Sequence, residues 1–343
     1  MDVRLFHDTP ADQRAWDEFV ARSVAATSDH LWGWRTVLRD AFKFRPWYWT
    51  AVDGDRVVGI LPLFQVPRGL GRCALSSIPF GNYGGICADT PEAELALLEM
   101  AEEHMARLHA EYLDLRHLAP VEDDRLQRQD LYNRFHYPLT GNPEAHFKAM
   151  DSSTRSNVRK AQRAGLTVKT TRDIGQIYPI HTHTTRRLGT PCFPRRYFDG
   201  IMRVFGEQAQ LTLICHQDVS IAYELALIFK QSMVCQFNGS LEESLQHRPN
   251  QLRFWDSVQK GCAMGLQEID YCRSRKDSGT AEFKRRLKFV EEPLGYQYLL
   301  PNGRPLPQRN PSNPKYQLVI RAWQRLPLAL TQWVGPTVVR YLA

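Results

Sequence analysis

Several features that would fix a function class at once are missing from this 343-residue sequence. Its seven cysteines, Cys73, Cys87, Cys192, Cys215, Cys235, Cys262 and Cys272, are odd in number and widely spaced, with no C-x-x-C. This argues against a disulfide framework or a zinc knuckle and fits reduced, buried thiols in a cytoplasmic protein. No stretch approaches the ~18–20 apolar residues of a spanning helix. The opening residues Met1 to His7 hold no apolar core of signal-peptide length. There is no G-x-S-x-G elbow, and no cysteine stands out beside a histidine, so no covalent nucleophile is expected. His181 and His183 lack further ligands at metal spacing, so no metal is expected and both are read as parts of a helix face.

What the chain does have is positive charge. A formal net charge of +7 and a pI near 9.0 suit an anionic partner, such as tRNA, a nucleotide-linked precursor, a phospholipid surface or a coenzyme. They equally suit a soluble basic protein.

Hydrophobic periodicity predicts an α/β (α+β) chain. Strands are expected at 3–7, 47–52, 57–66 and 112–118, with Asp53-Gly54 as a hairpin turn and helices at 11–23, 31–42 and 91–109. The order then recurs, with helices at 173–188 and 195–205, strands at 211–216, 219–229 and 233–238, a helix at 250–264 and a strand at 268–272. Two helices, a meander, a long helix and another strand thus occur twice. The expected division is a first unit over 1–150, a second over 151–300 and an extension over 301–343. The extension either packs back on the first unit or lies at a membrane surface.

Asp151 to Gly165 reads as a helix with Ser152 or Ser153 as N-cap and Gly165 as stop. Arg155, Arg159 and Arg163 share one face, Lys160 lies close by, and no acid after Asp151 neutralises them. The stretch is either a solvated basic face or an anion groove. The tail mixes Trp323, Trp333, Leu328 and Leu330 with Arg321, Arg325 and Arg340. It is either a segment packed on the body or an amphipathic segment at a membrane interface.

Ile269 to Leu287 carries the strongest local signal. A short apolar strand enters a loop with Arg273, Arg275 and Lys276, and a helix then opens at Ser278-Gly279-Thr280 and carries Phe283 and Lys284 in its first turns. A helix opening attracts anions through its free N–H groups and dipole. Lys284 is therefore expected to face a donor phosphate or an oxyanion. Asp270 is placed to orient Arg273, to act as base or to cap the strand end. Glu224 interrupts an apolar strand, so it is either half-exposed or a buried proton acceptor with a raised pKa. Asp114 and Arg116 share a strand face with Tyr112, as a structural pair or as the lining of an acceptor pocket. The loop Phe80 to Gly85, with Asn82 and Tyr83, is Gly-rich enough for close approach of a ligand, or for a turn.

The Asp270-to-Lys284 segment resembles the Asp-Phe-Gly-Arg-Ser … Gly-Thr-Gly … Phe-Lys signature of FemAB-type transferases. It looks most like the FemAB-related proteins that accompany exosortase and exopolysaccharide systems. The Arg155-to-Gly165 helix, Pro79-Phe80 with Tyr83-Gly84-Gly85, Asn313-Pro314-Lys315-Tyr316 and the Leu-Pro-Leu … Gly-Pro tail are similar to stretches of the same proteins. Cys272 departs from the family glycine, Leu287-Lys288 from an aromatic-Gly pair, and Glu291-Glu292 adds acid.

The resemblance implies two tandem GNAT-like units, with the chain end returning to the first. It implies an acyltransferase or aminoacyltransferase acting on an amino group of an envelope glycan, lipid-linked or peptidoglycan-type precursor. Lys284 would stand at the acyl-donor end, with Phe283 as its wall or as an adenine platform, and Arg273 on an acidic group. No Q/R-x-x-G-x-G/A turn for coenzyme A is present; Arg68-Gly69-Leu70-Gly71-Arg72 falls between strands. Aminoacyl-tRNA is thus the expected donor, with an acyl-CoA or acyl-carrier thioester second and a non-catalytic anion-binding module as the other class. Location is expected in the cytoplasm, peripheral to the inner membrane.

Overall fold

The structure is a computed structural model that describes residues 1–301, 304–307 and 314–343. The chain forms two compact units. In the first, β1 (Asp2–Phe6), α1 (Pro10–Arg22) and α2 (Gly33–Phe42) precede the meander β2 (Arg45–Asp53), β3 (Arg56–Gly69) and β4 (Arg72–Ser76). The short β5 (Cys87–Ala88), the long α3 (Pro91–Arg107), β6 (Leu113–His117) and β7 (Leu126–Arg128) follow. In the second unit, β8 (Tyr132–Pro138), α4 (Pro143–Ala149) and α5 (Ser152–Arg163) lead into β9 (Leu166–Thr171), α6 (Ile174–Leu188) and α7 (Arg195–Phe205). The meander β10 (Ala209–His216), β11 (Val219–Phe229) and β12 (Ser232–Ser240) is followed by α8 (Pro249–Ala263), β13 (Glu268–Arg275), α9 (Gly279–Arg286) and β14 (Val290–Pro293). After β15 (Gly295–Leu299) come α10 (Pro314–Arg325) and α11 (Leu328–Val339).

The repeated element order is real. One sheet runs β1-β2-β3-β4-β6-β15-β7, with β5 beside β3; the other runs β14-β8-β13-β12-β11-β10-β9. β4 with β6 and β12 with β13 pair parallel, while the strands within each meander pair antiparallel, as do β8 with β13 and β15 with β6. Each parallel pair spans a long helix, as a parallel connection requires. The central strands β3, β6, β11 and β15 are buried along most of their length, so both faces of each sheet are covered there. Leu61, Leu63, Leu97, Leu98 and Leu113 centre one core; Phe135, Val158, Phe254, Val258 and Ile269 centre the other.

The unit borders differ from the expected ranges. The first unit ends at Leu131, because β8 pairs with β13 and so belongs to the second sheet. β15 pairs with β6 and returns to the first. α10 and α11 cluster with the second unit, and Val339–Ala343 with the first. Of the tail motifs, Asn313 lies outside the described residues. On α5, Asp151 rather than a serine occupies the N-cap, without a side-chain cap bond, while Gly165 takes the positive φ that stops the helix.

Candidate active site

Between β12 and β13 the parallel ladder registers Ser232 with Glu268, Met233 with Ile269 and Val234 with Asp270, and then ends. On its other side β13 pairs with β8, but the register breaks between Asp270 and Arg273. Tyr271 and Cys272 therefore pass through a gap in both ladders. Their carbonyls, buried in the unit, need other donors.

Lys284 supplies them. Its Nζ lies 2.5 Å from Tyr271 O, 3.2 Å from Cys272 O and 3.5 Å from Arg273 O. The side chain is only 4% exposed, and the ammonium also sits 5.0 Å from the centre of the Phe135 ring. Burial lowers its pKa from the usual lysine value to about 8, with Cys272 and Asp270 acting the other way. Among the described residues, no carboxylate forms an ion pair with it.

This corrects the expected placement of Lys284. Ser278 does cap α9, accepting from Ala281 N, but Lys284 stands in the last turn of the helix. The dipole there favours a cation, so the lysine needs no compensating anion. Its surroundings are the strand carbonyls rather than solvent.

Cys272 has φ of +56°. A left-handed backbone costs a residue with a Cβ about 1–2 kcal/mol. Two local bonds offset this: Cys272 N donates to Asp270 Oδ1 at 2.6 Å, and Cys272 Sγ lies 3.4 Å from Cys235 O.

Asp270 is buried and bound by Arg134, whose Nε reaches Oδ2 at 2.8 Å. Burial raises its pKa, while Arg134 and the Cys272 N–H lower it. The cation on its Oδ2 is Arg134, which sequence reading did not anticipate; the Arg273 guanidinium lies 5.0 Å from the Tyr132 ring centre. Glu224 is buried, not half-exposed. Ser257 Oγ donates to its Oε1 at 2.6 Å, and Arg253 Nη1 stands 3.7 Å from Oε2. Ser257 and Tyr271 OH lie 3.4 Å apart, and burial drives the Tyr271 phenol well above its usual pKa.

Lys284, Asp270 and Glu224 thus belong to one buried polar cluster with Arg134, Cys235, Arg253, Ser257 and Tyr271. Sequence reading missed those five. Arg253 and Ser257, one helical turn apart on the helix expected at 250–264, were the available signal. Phe283 is half-buried against the apolar core beside the cluster.

The other expected residues lie elsewhere. Asp114 and Arg116 form a buried pair at 2.9 Å in the first unit. Arg116 Nη1 also donates to Ile78 O at 2.9 Å and Gly81 O at 3.0 Å. Asp29 Oδ2 accepts from Asn82 N at 2.5 Å and Tyr83 N at 2.8 Å. Tyr296 OH donates to Asn82 O, and Thr27 Oγ1 to Tyr83 O, both at 2.6 Å. The 78–85 loop is therefore pinned from several sides by its own unit. On α5, Arg155 donates to Lys148 O and Met150 O, Arg159 lies over the Phe147 ring, and Lys160 is exposed. Of the two histidines, His183 is exposed, while His181 is buried against Tyr223 OH at 3.0 Å with its pKa lowered by burial to about 3.

Residues 152–285 match the acetyltransferase (GNAT) domain family model. No curated protein matches the sequence. Among solved structures, FemX superposes with a TM-score of 0.70 at 15% identity, over 93% of this chain and 100% of FemX. L-PGS from Bacillus licheniformis gives 0.58 at 12%, over 93% and 98% of the two chains. A tandem GNAT protein from the clavulanic acid biosynthesis pathway gives 0.56 at 12%, over 87% and 97%.

Proposed function

For an acyltransferase with the FemAB-type tandem GNAT fold, we propose transfer of an aminoacyl group from tRNA to an amine of an envelope glycan or peptidoglycan-type precursor, in the cytoplasm. One observation carries the assignment to the second unit. The GNAT-matched segment holds a parallel strand pair that parts company, and a buried ammonium without a carboxylate partner stands at the parting.

Acyl transfer needs two substrates held in line and a charge for the developing oxyanion. The amine nitrogen attacks the acyl carbon of the ester. The tetrahedral intermediate collapses, its C–O bond to the ribose breaks, and the amine proton leaves on the departing hydroxyl. An ammonium has three hydrogens. Two are firmly held by Tyr271 O and Cys272 O; the third, at 3.5 Å from Arg273 O, is the one an oxyanion recruits. Asp270 and Glu224 fix Arg134 and Arg253 around this centre. Phe283 walls it, and Arg273 and the α5 cations Arg155, Arg159 and Lys160 meet donor phosphates. In the first unit Asp114 and Arg116 serve the shape of the 78–85 loop, and through it Asn82 and Tyr83, on the acceptor side.

A thioester donor is the second reading, favoured by the acetyltransferase family match. Turnover assays with charged tRNA and with acyl-CoA separate the two, and binding without turnover would leave an anion-binding module. With the active donor, Lys284→Met should lower kcat by about 10²–10³-fold, the range for losing one oxyanion donor, with little change in acceptor KM. Arg285→Ala, whose guanidinium pairs with Glu291 at 2.7 Å, should matter far less. A folded methionine variant turning over at the parental rate would remove the site from this cluster.

A further inference from the structure

From Pro293 to Ala343 the sequence has no Asp or Glu, yet carries Arg304, Arg309, Lys315, Arg321, Arg325 and Arg340. Those six cations equal most of the net charge of +7. Within this stretch α10 and α11 each have one packed and one exposed face. The packed faces are well anchored. Arg186 Nε donates to Leu326 O and Gln324 Nε2 to Arg187 O, both at 2.7 Å. Gln332 Nε2 reaches Thr182 Oγ1 at 3.0 Å. A Cβ added at Gly335 would stand 3.0 Å from Cys192 N, so α11 lies directly on the backbone at Cys192.

With helices this firmly seated, burial of apolar side chains on the opposite faces would be unnecessary, and they are not buried. Leu318 is 68% exposed, Val319 64% and Trp333 79%. On α10, Leu318, Arg321, Ala322 and Arg325 follow i, i+3, i+4, i+7 spacing and are all exposed. On α11, Ala329, Leu330, Trp333 and Thr337 make the outward stripe. Apolar side chains flanked by arginines, with no acid on either helix, fit a surface that is apolar within and anionic at its edge. Glu242 and Glu243 share a cleft with Gln324, but Arg186 and Arg187 line that same cleft and offset them.

We propose that the exposed faces of α10 and α11 dock on an anionic lipid surface, with Leu318 and Trp333 entering the headgroup boundary and Arg321 and Arg325 meeting lipid phosphates. The proposal is independent of the acyl-transfer reading, because it concerns binding and not turnover.

Flotation of the full chain with vesicles of phosphatidylcholine alone, or mixed with phosphatidylglycerol, tests it. The parent should float with the mixed vesicles and much less with the neutral ones, and added salt should release it. Leu318→Ser with Trp333→Ser should lower partitioning by roughly tenfold or more. Arg321→Gln with Arg325→Gln should lower it by about tenfold or more and erase the preference for phosphatidylglycerol. This second pair replaces exposed charges only and keeps the test decisive if the serine variants misfold. A parent that stays with the soluble fraction, or folded variants that float like it, would overturn the proposal. So would a parental dimer in sedimentation velocity that Trp333→Ser dissolves, since a second copy would then own the face.

Discussion

Each unit sets a buried cation near its parallel strand pair, Arg116 on β6 itself and Lys284 on α9 after β13, and the two are treated differently. In each, a parallel pair closes a meander, with β4 beside β6 and β12 beside β13, and the cation donates to backbone carbonyls nearby. Arg116 answers Ile78 O and Gly81 O; Lys284 answers Tyr271 O and Cys272 O. A non-glycine residue with left-handed backbone, Phe80 or Cys272, sits in each region. The difference is the counter-charge. Arg116 is neutralised by Asp114 at 2.9 Å, so its charge is closed within the pair. Lys284 has carbonyl dipoles and the Phe135 ring, and among the described residues no carboxylate forms an ion pair with it. The first arrangement is a brace and the second holds charge in reserve, which is why catalysis is assigned to the second unit.

Breaking the brace should cost more stability than removing the reserve. Arg116→Met leaves Asp114 buried and unpaired, a loss of roughly 3–5 kcal/mol. Lys284→Met leaves only carbonyls unsatisfied, about 1–3 kcal/mol. Urea unfolding of both variants checks the order, and a larger loss at Lys284 would reverse the roles given to the two cations. A smaller contrast is expected at the left-handed residues. Cys272→Gly relieves backbone strain while losing one sulfur contact, so stability should shift by no more than about 1 kcal/mol. Phe80 packs on Phe42 and Phe44 at 4.9 and 6.1 Å between ring centres, so Phe80→Gly should be clearly the more destabilising. Equal thermal shifts would mean that the two loops are not comparable.

Much of the fold was legible because periodicity reports which face of an element is buried. The helix–helix–meander–helix–strand order stood out twice for that reason. The strands at β8 and β15 were missed, since each completes a sheet across a long stretch of sequence and pairing partners leave no local signal. Lys284 was found through its motif, but its setting was misjudged. Counting from Ser278 puts Lys284 six residues into the helix, where its side chain points back toward the strand. Only the broken ladders at Tyr271 and Cys272 show why it is needed there. Asp114 with Arg116 showed from spacing that a pair was possible. Arg134 with Asp270 could not, because 136 residues separate them.

The central claim, that the charge on Lys284 drives the transfer, has a direct test in the pH dependence of the single-turnover rate with saturating donor and acceptor. Burial holds the Lys284 pKa near 8, so the ammonium is present below that pH and lost above it. The account predicts a parental rate that falls as pH rises through about 8. A Lys284→Arg variant, slower because a planar fork replaces a point charge, should show no such fall, since its guanidinium stays charged. A parental rate that stays level or climbs through this range, in parallel with the arginine variant, would contradict it.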